Sequence, residues 1–180
     1  MRFLRVEKFS LGIRQIFQMG YKHIFDLVKL TNAELLLLRA NLRSEMRKRG
    51  IADSVGVVGE QLALNYFRNT PGLINLQLAP TGTKNVDALS RNGDRFSIKT
   101  LCEGSKTGTI YPDSDEPEKQ LFENLLIVRL TPGWTMKSIH QLSWSQFLDV
   151  RSWDNRMNAW YVSISKRSLS VATEIFTHPD

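Results

Sequence analysis

The sequence predicts an α/β domain, a central mixed β-sheet flanked by helices, preceded by a basic helical segment at the N-terminus. Three observations predict it. Apolar residues recur at helical spacing up to residue 69. Short apolar stretches separated by turn signals then fill the middle of the chain. One of them, residues 125–130, is apolar almost throughout, as a strand buried on both faces must be. The balance of 42% hydrophobic and 23% charged residues over 180 positions excludes a disordered chain, a collagen-like repeat and a disulfide-stapled mini-protein. The one cysteine, Cys102, cannot form an internal bridge, which points to a reducing, cytoplasmic compartment. No apolar run approaches the roughly 18 residues of a membrane span. The basic start, Met1 to Lys8, is not followed by the apolar core of a secretory signal.

Charge divides the chain. The net charge of +6 resolves into +7 over residues 1–50 and −1 over residues 51–180. The basic character therefore belongs to an N-terminal helical segment, residues 1–50, and the remainder forms the main domain, residues 51–180. A basic segment attracts polyanions, nucleic acid first, unless it is only a solvated face.

The elements follow in order. Ile13, Ile16, Phe17, Ile24, Phe25 and Val28 mark a first helix with a break near Gly20. Thr31 and Glu34 form a capping box that starts a second, with Leu35, Leu38, Leu42 and Met46 as its apolar stripe and Gly50 as its end. Arg39, Arg43 and Arg47, four apart, share one face of that helix and are candidates to grip phosphates. A third helix runs from 53 to 69, capped by Asp53 or Ser54, with Val55, Val58, Leu62 and Tyr66 in one stripe. Gly56 and Gly59 each cost about 1 kcal/mol in a helix interior, which predicts close packing against another backbone. Strands are expected over 73–78, 85–90, 94–101, 125–130, 138–142 and 160–165. A short helix is expected over 143–149, and a last helical turn capped by Ser168 or Ser170.

Asn92-Gly93 marks a hairpin, and its register follows from sorting side chains. A two-residue loop mixes polar and apolar residues on both faces. A three-residue loop, Arg91-Asn92-Gly93 with Gly93 left-handed, pairs Val86 with Ile98 and Ala88 with Phe96 on one apolar face. It leaves Asp87 opposite Ser97 and Asn85 opposite Lys99 on a polar one. The second register is the one expected, and it gathers Asp87, Ser97 and Lys99.

The order is now a helix with Gly59-Glu60, a strand with Val86-Asp87-Ala88, a hairpin, and a strand with Ser97-Ile98-Lys99. It resembles the PD-(D/E)XK nuclease superfamily over about residues 53–165. That resemblance implies a restriction-endonuclease-like core and a metal-dependent DNA endonuclease, acting on double-stranded DNA and commonly homodimeric. It also implies Mg²⁺ held by Asp87, Glu60 and the Ile98 carbonyl, with Lys99 beside the attacking water. Two departures stand out. Val86 replaces the usual proline, and Ser97 stands where the second acidic residue is expected. Glu60 is the first candidate to supply that carboxylate, ahead of Glu103 and Asp113. Failing that, the chain would be a catalytically inactive nucleic-acid-binding protein on the same fold.

Such residue types suit the chemistry. A hard divalent cation takes oxygen ligands, polarises a phosphate and acidifies a water, while a lysine offsets charge that grows in the transition state. Lys84, Arg91, Arg95 and Lys106 are further candidate phosphate contacts, Lys106 within a Gly-Ser-Lys-Thr stretch that lacks the P-loop glycine spacing. His23, His140 and His178 show no metal-ligand spacing, and Trp134, Trp144, Trp153 and Trp160 read as packing residues.

Overall fold

A computed structural model describes residues 26–51 and 54–179. The first predicted helix lies mostly outside those residues. Its expected end does not extend as a helix: Leu27–Lys29 form one 3₁₀ turn, and Val28 is 94% exposed. The chain divides into two compact units, residues 1–51 and 52–180.

In the first unit, helix α1 spans Asn32–Lys48. Thr31 Oγ1 accepts the Glu34 N–H, and Glu34 Oε2 accepts the Thr31 N–H at 2.8 Å, so the capping box forms as its residues dictate. Crossed bonds from Gly50 N–H to Arg47 and from Ile51 N–H to Met46 close the helix. The expected apolar stripe is not a core face, since no described residue of α1 is buried and Leu42 is 58% exposed. Among the described residues its capping box and local ion pairs such as Glu45–Arg49, 2.8 Å, support this helix. Arg39, Arg43 and Arg47 line one face with Leu36, Ala40 and Ser44.

The second unit is α/β. Helix α2, Val55–Asn69, is capped by Ser54, whose Oγ accepts the Val57 N–H. The strands are β1 (Leu76–Leu78), β2 (Ala88–Ser90), β3 (Arg95–Leu101), β4 (Asn124–Leu130), β5 (Met136–Ser143), β6 (Arg151–Asp154), β7 (Ala159–Val162) and β8 (Thr173–Thr177). Helix α3, Trp144–Val150, follows β5, and α4, Lys166–Val171, follows β7. Six strands make one mixed sheet in the order β1-β2-β3-β4-β5-β8, with β3 and β4 parallel and the other neighbours antiparallel. Strands β6 and β7 form a separate ribbon. Among the described residues no helix is long and apolar enough to cross a membrane.

The alternation of β4 explains the layering. Leu126, Val128 and Leu130 face Ala63, Leu64 and Phe67 of α2. Leu125 and Ile127 face a second core with Phe122, Phe147 and Trp160. The expected burial of β4 on both faces is what the sheet shows. Two strands escape the sequence reading. The β6 segment, Arg-Ser-Trp-Asp, has no apolar alternation, and β8 begins immediately after a helix end. The last helix is capped by Ser165, not by Ser168 or Ser170, because Ser168 occupies the third helical position of the box.

Arg95 and Glu123 clamp the entrances of β3 and β4. Arg95 Nη2 reaches Glu123 Oε1 at 2.7 Å, and the Arg95 main-chain N–H donates to Oε2 at 2.6 Å. This guanidinium, read from the sequence as a candidate phosphate contact, is paired with Glu123 and 36% exposed. Its hydrogen bonds hold the Glu123 carboxyl below the usual carboxylate range. A carboxyl whose pKa falls on folding adds stability above its unfolded pKa and loses it as pH drops through the folded one. Glu123→Gln is thus expected to lower the urea midpoint at pH 7 and to flatten the loss of stability below about pH 4.3. The pair is partly exposed, so the effect at pH 7 is about 1 kcal/mol.

Candidate active site

The site lies where β2 leaves β3. The hairpin has the expected three-residue loop. Ser90 N–H bonds to Asp94, Gly93 N–H bonds to Ser90, and Gly93 has φ 89°, the left-handed conformation that a bulged turn requires. Ala88 faces Phe96, as the sorting of side chains predicts. The ladder ends there, however. Strand β2 starts at Ala88 rather than 85, and Asp87 N–H bonds to the Phe96 carbonyl instead of pairing with Ser97. Asn85 is not opposite Lys99 in a strand. It is left-handed, φ 61°, and its Nδ2 donates to the Tyr111 carbonyl at 3.1 Å. Asparagine tolerates that conformation, a local signal that the apolar and polar alternation overshadowed.

Because β2 is short, β3 from Ser97 onward has an edge that β2 does not cover. Asp87 fills it. Its Oδ2 accepts the Ile98 N–H at 2.6 Å and the Ser97 hydroxyl at 3.2 Å, and stands 3.8 Å from Lys99 Nζ. Two hydrogen-bond donors and a lysine charge thus converge on one carboxylate oxygen. Among the described residues Oδ1 has no such partner. A strand residue directs its C=O to the same edge as its N–H, so the Ile98 carbonyl also faces this gap. The side chains of Lys99 and Asp87 are 20% and 26% exposed, sheltered yet reachable. Ser97 is fully buried and acts as a donor that orients Asp87.

Glu60 arrives from α2. Burial raises its pKa first, and the negative charge of Asp87 adds to the rise while Lys99 opposes it. The three groups therefore share one electrostatic neighbourhood. Gly59 makes the approach possible. A Cβ at 59 would overlap the Thr100 side chain, 2.7 Å from its Cβ, so only glycine lets α2 come this close to β3. The contact is with a side chain rather than a backbone. Gly56 has open space around it and needs no such explanation, although its carbonyl accepts the Thr100 hydroxyl at 3.4 Å. A carboxyl whose pKa rises on folding costs stability above its unfolded pKa, and that cost is relieved as pH falls. Glu60→Gln is accordingly expected to raise the urea midpoint at pH 7 in EDTA, with the gain vanishing toward pH 4.

The remaining candidates are placed as follows. Lys84 is exposed and lies close enough to Asp113 to lower its pKa, after the main-chain N–H groups of Asp115 and Glu116 that Asp113 caps. Asp113 also faces Lys119 at 3.8 Å. Those partners engage Asp113, and Glu103 is exposed on the loop. Lys106 lies over the Tyr161 ring, 4.6 Å from its centroid. Gly108, two residues on, runs beside Lys99, since a Cβ there would sit 3.8 Å from Lys99 Cδ. His140 is buried in the sheet and His178 bonds to a neighbouring carbonyl, while His23 lies outside the described residues. Trp144 and Trp160 pack in the second core, whereas Trp134 and Trp153 are 37% and 42% exposed.

The donor set suits a hard cation in kind: an unengaged Asp87 oxygen, a main-chain carbonyl and a nearby carboxylate. It is lean in number, for no three His, Cys, Asp or Glu side chains among the described residues form a metal-holding group. No protein-family model matches the chain, and no curated protein matches it.

Proposed function

We propose that the protein is a metal-dependent endonuclease with a restriction-endonuclease-like core, hydrolysing phosphodiester bonds of DNA. One observation carries the reading. Asp87 and Lys99, from a strand entrance and a strand, pair at 3.8 Å at an edge of β3 that β2 leaves uncovered, and the charges of both act on Glu60 from α2. A divalent cation, held by Asp87, the Ile98 carbonyl and Glu60, would polarise the phosphate and acidify a water.

The chain's own groups have distinct tasks. Ser97 and the Ile98 N–H hold Asp87 Oδ2, which leaves Oδ1 free to ligate a cation. Lys99 offers a positive charge where negative charge grows on the phosphoryl oxygens, and it can orient the attacking water. Glu60 completes the acidic side at a cost that its raised pKa records. The reading extends to double-stranded DNA as substrate, a homodimer that cuts both strands, and a cytoplasmic setting in keeping with one half-buried cysteine.

Lys99→Ala tests it. With Mg²⁺ and supercoiled plasmid, wild-type protein should nick and EDTA should stop it. Lys99→Ala should lose about 10²–10³-fold in rate. Cleavage of equal rate in this variant sinks the assignment. A second reading, nucleic-acid binding without cleavage on the same fold, is favoured by Ser97 in place of the second acid. Metal-independent, salt-sensitive DNA binding with no nicking would select it.

A further inference from the structure

A second polar cleft, of about 170 Å³, opens between the β6–β7 ribbon and the start of α4. Arg151, Ser152, Ser163 and Arg167 line it, with Asp149 as the one acid. Both arginines are held in place. The Arg151 guanidinium lies over the Trp160 ring, 4.0 Å from its centroid, and Nη2 reaches Glu118 at 3.6 Å. Its Nη1 is buried and has no hydrogen-bond partner among the described residues. A buried guanidinium nitrogen without an acceptor calls for an explanation. Arg167 Nη2 donates to the Asp149 carbonyl at 3.2 Å, which fixes it at the rim.

The cleft is rich in hydrogen-bond donors. Among the lining residues two guanidinium groups face one carboxylate, and the Glu118 carboxylate that reaches Arg151 from outside the lining is 80% exposed. The ligand that answers such a set carries negative charge on several oxygens in a compact group. Arginine's planar fork matches a phosphate in that way. Lys106 pairs with Ser163 of this cleft across a β-bridge, and Gly108 lies against Lys99. Two extended residues span at most about 7 Å, so one short segment connects the cleft to the candidate active site.

We propose that this cleft is a phosphate subsite, occupied by a further backbone phosphate of the nucleic-acid strand that is bound at Asp87 and Lys99. The identity of the strand rests on the nuclease reading; the phosphate chemistry does not. Lys106, above Tyr161 between the two places, marks the path of that strand.

The test measures binding of a fluorescein-labelled DNA duplex to the full chain in Ca²⁺, by anisotropy over a salt series. Arg167→Gln removes an exposed side chain with one hydrogen bond, so the fold tolerates it. It should weaken duplex binding on the order of tenfold and reduce the slope of log K against log salt by about 1. Arg151→Lys, which keeps the charge but loses the stacked fork, should weaken it too. Wild-type affinity and slope in Arg167→Gln overturn the proposal. Calorimetry with inorganic phosphate separates the sources. Phosphate binding that Arg167→Gln removes, with duplex binding unchanged, overturns the strand assignment in favour of a free phosphate. Duplex binding that depends on Arg167 without any Asp87-dependent cleavage supports the subsite and overturns the nuclease reading instead.

Discussion

Asp87→Asn is expected to abolish plasmid cleavage, by about 10³-fold or more, while duplex binding in Ca²⁺ stays within a factor of about two. Asp87 Oδ2 is engaged by the Ile98 N–H, the Ser97 hydroxyl and, more distantly, Lys99. Asparagine can keep its carbonyl oxygen in that place and hold the edge of β3. It then puts an NH₂ donor where Oδ1 stood, and a donor cannot ligate a cation. Fold and function are separated in one atom. Asp87→Ala is the harsher variant, because it leaves the Ile98 N–H without its acceptor at a cost of about 1–3 kcal/mol. A urea titration would therefore show Asp87→Asn near wild type and Asp87→Ala well below it. Full cleavage by correctly folded Asp87→Asn would remove the enzyme proposal.

Gly59→Ala should be among the most destabilising conservative changes in the second unit. Alanine is ordinarily the better helix former by about 1 kcal/mol. Here its methyl would overlap the β-branched, short side chain of Thr100, which has no flexible end to move aside. The helix must lift from β3, loosening the contact of Ala63, Leu64 and Phe67 with the sheet. Overpacking of this kind costs about 1–3 kcal/mol. The double variant Gly59→Ala with Thr100→Ala should recover most of the loss, a coupling that a double-mutant cycle on urea midpoints would measure. Since Glu60 is the next residue, Gly59→Ala should also lower the cleavage rate, and the double variant should restore it in part. Independent, additive effects of the two substitutions would show that the close approach does not matter.

The hairpin shows how far one sequence can be read. Its three-residue loop and the Ala88–Phe96 pairing are local matters. A glycine free to adopt positive φ and two faces that must sort by polarity leave little choice. The same alternation predicted that pairing would continue through Asp87 and Asn85, and there it fails. Asp87 hydrogen-bonds through its side chain, and Asn85 turns left-handed to bind Tyr111 from a loop far along the chain. No periodicity encodes a bond between residues 26 positions apart. In α1 the apolar stripe of Leu35, Leu38, Leu42 and Met46 has the spacing of a core face, yet no described residue of that helix is buried. Spacing says which residues share a face, not what covers it.

From its residues alone, the chain determines an α/β class, the capping box of α1, the doubly buried β4 and the tight hairpin. Each of these depends on hydrogen bonds, backbone preferences and polarity within a few residues. Only the tertiary structure decided that the sheet runs β1-β2-β3-β4-β5-β8, that Thr100 receives Gly59, and that Asp87 caps the free edge of β3 within the field of Glu60. Those outcomes depend on which distant surfaces meet when the two cores close. That choice minimises exposed apolar area and unpaired backbone over the whole domain at once, and no single segment contains it.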